Sequence, residues 1–436
     1  MLANASEAAR FLEQRTRPIS PSINAALKRR QLDCEEGFSL LSSHRLRRII
    51  AIMVRTTTLF AVGAFLLQTS QACRATKEYK FGDADSLNTE ELDEHQLDGL
   101  RLLKTSEEDA GTWVTEKEKI ENYMLKHVHF MDVTETQELE ELGTLRRRAL
   151  AKRQTAYPAP SKQTTANPII ARLVQSNIQS TITGLANIFN RYYRGTYAPT
   201  SATYMLNAVR SAASSNTAIT VRQFTHSFNQ PSVIATIPGT STDRVVVCAH
   251  YDSINSQSVT GRAPGADDNA SGVATILEAL RVMAVAKYAP GNTLEFHFYG
   301  GEEGGLLGAR DVFNNYAANN VNVLAVVNQD MTGYSDNNVI AVYQDFVDTS
   351  LTAYMQRLVP VYTSLPVVTD RCGYGCSDHA AARAAGYPAA YVCADTMTSS
   401  SPYIHTTSDT AQTRFYAHAL QHSRLTVGFL VEASFW

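Results

Sequence analysis

Short apolar segments alternate with helix-like patterns through the C-terminal part of the chain. From Asn167 onward, apolar runs bounded by turn residues are separated by stretches in which apolar positions recur every three or four residues. The runs near His250, Phe298 and Asp330 are almost continuously apolar, which is typical of strands buried on both faces. The pattern predicts an α/β/α sandwich with a mixed, mainly parallel central sheet over residues 167–436.

Individual strands and helices can be placed within this domain. The predicted strands are residues 219–228, 232–237, 244–249, 293–299, 321–329, 338–343, 367–370 and 389–393. The predicted helices are residues 169–192, 202–215 and 272–286. No internal repeat and no transmembrane pattern occurs in this half of the sequence.

A different hydrophobic run lies near the N-terminus. Residues 59–67 are apolar, Arg55 precedes them, and the small residues Ser70 and Ala72 follow, which together indicate a secretory signal peptide over residues 53–72. Residues 1–52 precede it, so we interpret them as a non-native or untranslated extension. A signal anchor over residues 49–67 is the alternative, although Arg55 interrupts it and it is shorter than about 20 continuous apolar residues. The prediction is a secreted protein without stable membrane association.

Residues 73–153 have the character of a small helical prosegment. The region is rich in acidic residues, and a helix-start pattern begins at Thr115 and continues through Glu118. Its leucines have heptad-like spacing: Leu92, Leu97, Leu100 and Leu103.

The prosegment ends in a basic patch that contains Lys152-Arg153. Residues 154–166 after it are rich in proline and threonine, as expected of a linker. In a secretory context the pair predicts a cleavage site for a processing endoprotease, and the alternative is a solvated basic helix end.

Composition narrows the function classes. Apolar residues make up 44% of the chain, enough for one large core, and the net charge of −3 argues against nucleic-acid binding. Six cysteines are too few for a disulfide scaffold. Cys372 and Cys376 are close enough to form a local bridge, which requires an oxidising compartment.

Candidate catalytic residues fall where the predicted strands end. They are His250, Asp267, Glu302, Glu303 and Asp330, and a further imidazole, His405, precedes the last helix. Because ligands of doubly wound sheets gather beyond the carboxyl ends of strands, we expect these side chains to converge on one rim.

The residue types favour two zinc ions. Zinc accepts imidazole and carboxylate ligands together, whereas calcium and magnesium prefer oxygen alone. Two ions sharing one carboxylate need about two further ligands each. The count is satisfied by Asp267 as the bridge, His250 and Asp330 on one ion, and Glu303 and His405 on the other. Glu302 is then left unligated, as a general base beside the metals must be.

The order and spacing of these motifs resemble a known family. The motifs are His250-x-Asp252, Gly265 to Gly272, Glu302 to Gly308, Asn328 to Met331, Cys372 to His379 and Ile404 to Thr407. They are similar to the secreted di-zinc leucyl aminopeptidases of bacteria and fungi, metallopeptidase family 28, and most similar to the fungal extracellular members. The resemblance covers about residues 167–436.

The resemblance implies further roles. Asp252 is expected to fix the tautomer of His250, and Tyr374, held by a bridge between Cys372 and Cys376, to donate to the developing oxyanion. It also implies a cis peptide bond between Asp267 and Asp268. The implied pocket for the first side chain of the substrate contains Met331, Ile404 and Tyr374, with a preference for leucine.

The combined prediction is a zymogen whose substrates are peptides with a free N-terminus. Taken singly, the Asp267-Asp268 pair could cap a helix and the Glu302-Glu303 pair could be a solvated loop, so only the combination points to catalysis. One alternative is a glutaminyl cyclase, which shares the fold and uses one zinc. Another is a binding protein that has lost catalysis, although no ligand of the predicted set is missing.

Overall fold

The computed structural model of this chain describes residues 99–151, 157–410 and 416–436, all within a unit that extends from Ser86 to Trp436. The predicted extension, the signal peptide and the Lys152-Arg153 site lie outside the described residues. No helix in the described part of the chain is long and apolar enough to cross a membrane.

The N-terminal described residues form a small mixed structure. A three-stranded antiparallel sheet contains β1 (Leu100–Lys104) between β2 (Thr112–Thr115) and β3 (Met131–Asp132). Helix α1 (Glu116–Asn122) begins with a capping box between Thr115 and Glu118, as predicted, and α2 (Leu139–Ala151) ends the region.

An eight-stranded sheet forms the centre of the remaining chain. Its strands are β4 (Thr220–Phe224), β5 (Ser232–Ile237), β6 (Ser241–His250), β7 (Asn292–Tyr299), β8 (Val323–Gln329), β9 (Ile340–Tyr343), β10 (Val367–Asp370) and β11 (Ala389–Cys393). The spatial order is β10, β9, β11, β8, β6, β7, β5, β4. Strands β7, β6, β8 and β11 are parallel, whereas β5 is antiparallel to β7 and β9 to β11.

Helices cover both faces of this sheet. They are α3 (Gln163–Ile170), α4 (Gln175–Ala186), α5 (Ala198–Ala213), α6 (Ala270–Val285), α7 (Leu307–Ala318), α8 (Thr349–Tyr362), α9 (His379–Ala384) and α10 (Tyr416–Ala433). Alternate residues of β6 point to opposite faces of the sheet. Val245 and Val247 pack in the core under α3 to α6, α8 and α10, and Val246 packs in the core under α7 and α9. The predicted sandwich with a mixed, mainly parallel sheet is confirmed.

Two predictions about helices were wrong. The predicted helix over residues 169–192 is divided between α3 and α4, because the chain leaves the helix and the amide of Val174 donates to the carboxylate of Glu278 at 2.7 Å. The described part of the predicted prosegment contains a sheet as well as helices, because Leu100 and Leu103 belong to a paired strand and not to a heptad.

The N-terminal region shares a hydrophobic core with the rest of the chain. Leu102, Met131 and Leu139 pack in the same cluster as Leu306 and Phe313. The N-terminal region differs from the following domain in sequence character, but the two are packed together through this shared cluster.

Candidate active site

Three parallel strands bring acidic and imidazole side chains to one edge of the sheet. His250 is the last residue of β6, Asp330 follows β8 directly, and the Glu302-Glu303 pair follows β7. Because the strands are parallel neighbours, their carboxyl ends meet at the same edge, as the sequence predicted.

The first candidate metal group contains His250, Asp268 and Asp330. His250 Nε2 lies 3.2 Å from Asp268 Oδ1 and 3.5 Å from Asp330 Oδ2. All three side chains are buried, and their potential ligand atoms lie within 4.8 Å of one another.

A second group contains Asp268 again, with Glu303 and His405. His405 Nε2 lies 2.9 Å from Asp268 Oδ2 and 3.0 Å from Glu303 Oε2. The two oxygens of Asp268 therefore face different imidazoles, which is the arrangement of a carboxylate shared between two sites.

This finding corrects the predicted role of Asp267. The structure does not place Asp267 in either group; its Oδ1 accepts hydrogen bonds from the amides of Gly333 at 3.0 Å and Tyr334 at 3.2 Å. The predicted cis peptide is also displaced by one residue, since the cis bond joins Asp268 and Asn269. Adjacent aspartates before one helix carry no local signal that separates them, so the sequence alone could not choose.

The donor set fits divalent cations. Imidazole and carboxylate together match the ligand preference of zinc. Glu303 Oε1 and Asp330 Oδ1 are buried and, within the described residues, have no hydrogen-bond partner. Burial and the nearby Asp268 carboxylate raise the pKa of both Glu303 and Asp330. Bound cations would satisfy these oxygens and offset the concentrated negative charge.

Asp252 contacts both His250 and the loop that carries Glu302 and Glu303. Its Oδ1 lies 3.3 Å from His250 Nδ1, as expected of a residue that fixes the imidazole. Its carboxylate also accepts from the amides of Glu302 at 3.1 Å and Glu303 at 3.0 Å. Asp252 thus orients the histidine and the loop that carries both glutamates.

Two further side chains support the site: Asp409, which was not predicted, and Ser377, for which the sequence left open a helix cap or a support of the site. Asp409 accepts hydrogen bonds from the amides of Asp267 and Asp268, at 2.9 Å and 3.1 Å. Ser377 donates to Asp330 Oδ2 at 2.6 Å. Asp409 lies four residues after His405, in a Ser-Asp pair. This proximity to a candidate metal ligand was the only feature of the sequence that could have indicated its role.

Glu302 lies beside the first group without belonging to either one. Its carboxylate is 4.0 Å from His250 Nε2 and lines the same cavity as Asp268 and Asp330. Burial and the neighbouring carboxylates raise the pKa of Glu302 well above its usual value, despite the opposing effect of His250. A carboxyl group with a raised pKa is suited to taking up and releasing a proton.

The predicted pocket residues Met331, Ile404 and Tyr374 line this cavity. Tyr374 lies between Cys372 and Cys376, which form the predicted disulfide bond. Asp345 holds the same loop by accepting from the amides of Cys372 and Gly373.

Residues 123–130 of the N-terminal region, which we call the covering segment, also line the cavity, through Tyr123, Met124 and residues 127–130. The ring of His129 stacks on Tyr374, with 3.6 Å between centroids and an interplanar angle of 13°. The ring of His127 lies parallel to that of His405 at 6.1 Å. The covering segment therefore contacts both a pocket residue and a candidate metal ligand.

Buried charges hold this region against the following domain. We call the group the anchor cluster; it contains Arg101, Glu116, Lys119 and Asp132 on one side and Tyr193 and Arg194 on the other. The fully buried Lys119 lies 3.0 Å from Asp132 and 3.5 Å from Glu116, and donates to the Tyr193 hydroxyl at 3.2 Å. Arg194 lies 3.6 Å from Glu116.

Comparison with known proteins identifies the family. The model of Peptidase family M28 matches residues 232–430. Leucine aminopeptidase 1 of Trichophyton equinum is 42% identical over 340 residues, which cover 73% of this chain and 88% of that relative. The chain belongs to peptidase family M28. The predicted family is confirmed, and with it a metallo-hydrolase that acts on peptide bonds.

Solved structures agree with this M28 assignment. The LapA aminopeptidase of Legionella pneumophila is 27% identical, with a TM-score of 0.68 over 77% of this chain and 94% of LapA. A glutaminyl cyclase of Porphyromonas gingivalis is 17% identical, with a TM-score of 0.51 over 60% of this chain and 99% of that protein. The second similarity extends to the fold alone.

Proposed function

We propose that this M28 peptidase is a leucine aminopeptidase that works with two zinc ions. The observation that carries the proposal is the shared position of Asp268 between two ligand groups, with Glu302 free beside them. His250, Asp268 and Asp330 would hold one ion, and Asp268, Glu303 and His405 would hold the other. The similarity to leucine aminopeptidase 1 supports the same activity.

The side chains divide the work of peptide hydrolysis. When bound, zinc supplies Lewis-acid polarisation of the scissile carbonyl and acidifies the attacking water. Glu302 takes a proton from that water and delivers it to the departing amine nitrogen. The Tyr374 hydroxyl donates a hydrogen bond to the carbonyl oxygen as negative charge develops there.

The shape and charge of the cavity support an exopeptidase with an apolar preference. Its acidic rim attracts the α-ammonium group of a substrate, which requires a free N-terminus. Met331 and Ile404 offer apolar surface for the first side chain, in line with leucine.

The processed protein is expected to release leucine from a chromogenic leucyl amide and to leave an N-terminal glutamine peptide uncyclised. A glutaminyl cyclase uses one zinc, whereas this chain has a complete second ligand group, which favours the aminopeptidase. Both reactions are followed on the same preparation, with metal content measured in parallel. Cyclisation without leucine release would favour the cyclase, and metal binding without either reaction would favour a binding protein that has lost catalysis.

The contacts of the N-terminal region support a secreted zymogen. The covering segment occupies the approach to Tyr374 and His405, and the anchor cluster holds it there. A disulfide bond fits the oxidising secretory pathway implied by the predicted signal peptide. Cleavage by an endoprotease at Lys152-Arg153 then permits release of the prosegment.

A chain made uncleavable by Lys152→Ala with Arg153→Ala is expected to turn over leucyl amides at least about tenfold more slowly than the cleaved, prosegment-free protein. A tethered segment has an effective concentration of about millimolar, so it competes well with substrate. The measurement compares initial rates at matched metal content.

Variants in the uncleavable chain separate covering from misfolding. His129→Ala removes the ring stacked on Tyr374 and is expected to restore part of the rate, whereas Lys117→Ala, an exposed change outside the cavity, is not. Equal rates in the uncleaved and cleaved proteins would show that the prosegment does not inhibit.

A further inference from the structure

A fully buried arginine lies behind the candidate active site. Arg191 belongs to residues 190–194, a short strap that follows α4 and ends in Tyr193 and Arg194 of the anchor cluster. Its guanidinium donates to four main-chain carbonyls: Tyr251 at 2.7 Å, Gly265 at 2.8 Å, Leu185 at 3.2 Å, and Pro264. Within the described residues, no carboxylate lies within ion-pair distance of it.

Three of the four carbonyls, those of Tyr251, Pro264 and Gly265, belong to the segments that carry the metal-binding side chains His250 and Asp268. Tyr251 stands between His250 and Asp252, and the Pro264-Gly265 pair begins the turn that leads to Asp268. One planar group therefore connects the end of β6 to the start of the loop before α6.

The atoms around Gly265 and the Arg191 guanidinium are closely packed. A Cβ atom on Gly265 would lie 2.7 Å from the Arg191 guanidinium and 2.4 Å from the carbonyl oxygen of Asp268. Gly265 also has a φ of +50°, and its carbonyl accepts the amide of Ala270 at the start of α6. Glycine at position 265 therefore leaves the room that the guanidinium occupies beside the turn to Asp268.

The chemistry of arginine suits this role better than that of lysine. A guanidinium offers five N–H donors in a rigid fork, so one side chain can fix several carbonyls at set angles. Burial lowers the pKa of Arg191 to about 10, so the group is still protonated at neutral pH. A buried cation is costly unless it is hydrogen-bonded, and the four carbonyls accept from four of its five N–H donors without neutralising a ligand carboxylate.

We propose that Arg191 is a positioning residue that sets the distance between His250 and Asp268, and thereby the affinity of the first metal group. The inference rests on the proposed metal site but not on the identity of the peptide substrate. Arg191 touches neither substrate nor metal; it acts through the backbone of the two segments.

The test measures metal affinity and folding separately. Arg191→Met is expected to weaken binding of Zn²⁺ by about 10- to 100-fold, the range found when groups that orient metal ligands are removed. Arg191→Lys, which keeps the charge with fewer donors, is expected to fall between Arg191→Met and the original protein. Zn²⁺ titration by calorimetry gives the affinity, the visible spectrum of the Co²⁺ form reports coordination geometry, and thermal unfolding gives stability.

Arg310→Met is the matched control. Arg310 is equally buried, but its guanidinium donates to Thr136 and lies 3.7 Å from Glu140, and within the described residues it contacts no segment that carries a ligand. We expect it to lose stability while keeping its Zn²⁺ affinity and its Co²⁺ spectrum.

Unchanged Zn²⁺ affinity in folded Arg191→Met would overturn the proposal, and folded Arg191→Lys decides the question if the methionine variant does not fold. An equal loss of affinity in Arg310→Met would also overturn it, because the effect would then follow general destabilisation. If Arg191→Met loses affinity but the unsubstituted protein does not hydrolyse leucyl amides, the proposed activity fails and the role of Arg191 stands.

Discussion

Glu302→Gln is expected to lower kcat by about 10²- to 10⁴-fold, the usual contribution of a general acid/base, while the protein keeps its metal. Glutamine has nearly the same shape but cannot take a proton from water at neutral pH. Because Glu302 belongs to neither ligand group, the substitution leaves both sets of metal-binding atoms in place. The measurement pairs steady-state kinetics on a leucyl amide with metal analysis of the same sample.

Glu278→Gln provides the control for this experiment. Glu278 is also buried, but its carboxylate accepts from the amide of Val174 and the guanidinium of Arg281, away from the cavity. Full activity is expected from it after correction for folded protein. Full metal content together with retained activity in Glu302→Gln would defeat the proposed mechanism.

Asp268→Asn is expected to lose metal from both groups, with affinity falling by more than about 100-fold, the upper range for residues that only orient ligands. Asparagine offers one neutral oxygen in place of two anionic ones. Since the two oxygens of Asp268 face His250 and His405 respectively, neither group can stay complete. Metal content after dialysis and calorimetric titration measure the effect.

Asp267→Asn is the neighbouring control, and it tests the corrected assignment directly. An asparagine side chain still has an oxygen that can accept from the amides of Gly333 and Tyr334, so metal content is expected to remain close to normal. The opposite result, with metal lost in Asp267→Asn and kept in Asp268→Asn, would return the shared role to Asp267.

The sequence predicted well those features that depend on strand burial and chain direction. Apolar runs placed all eight strands of the main sheet, and parallel order then brought His250, Glu303 and Asp330 to one edge. The placement of the strands and of this shared edge required only local pattern and the geometry of parallel sheets. The role of Asp252 beside His250, by contrast, was implied by the resemblance to metallopeptidase family 28.

The remaining features depend on contacts between distant segments. The backbone of one turn directs Asp268 into the metal groups and Asp267 toward the amides of Gly333 and Tyr334. Two identical neighbouring residues do not reveal this difference in the sequence. Leu100 and Leu103 were assigned to a helix from their spacing. Their partners in β2 and β3 lie further along the chain, so the local sequence did not reveal the strand. Arg191 has no local motif, and its importance follows only from carbonyls brought together by folding.

The strap has a thermodynamic consequence for maturation. Arg191 contacts the segments of the first metal group, while Tyr193 and Arg194, two and three residues later, contact Lys119 and Glu116 of the predicted prosegment. If ordering of the strap favours both events, prosegment docking and zinc uptake are reciprocal: each raises the affinity of the other by the same factor. In the proposed zymogen, a metal-loaded precursor would then retain the N-terminal region more tightly than a metal-free one, and chelation before the proposed cleavage would promote early dissociation.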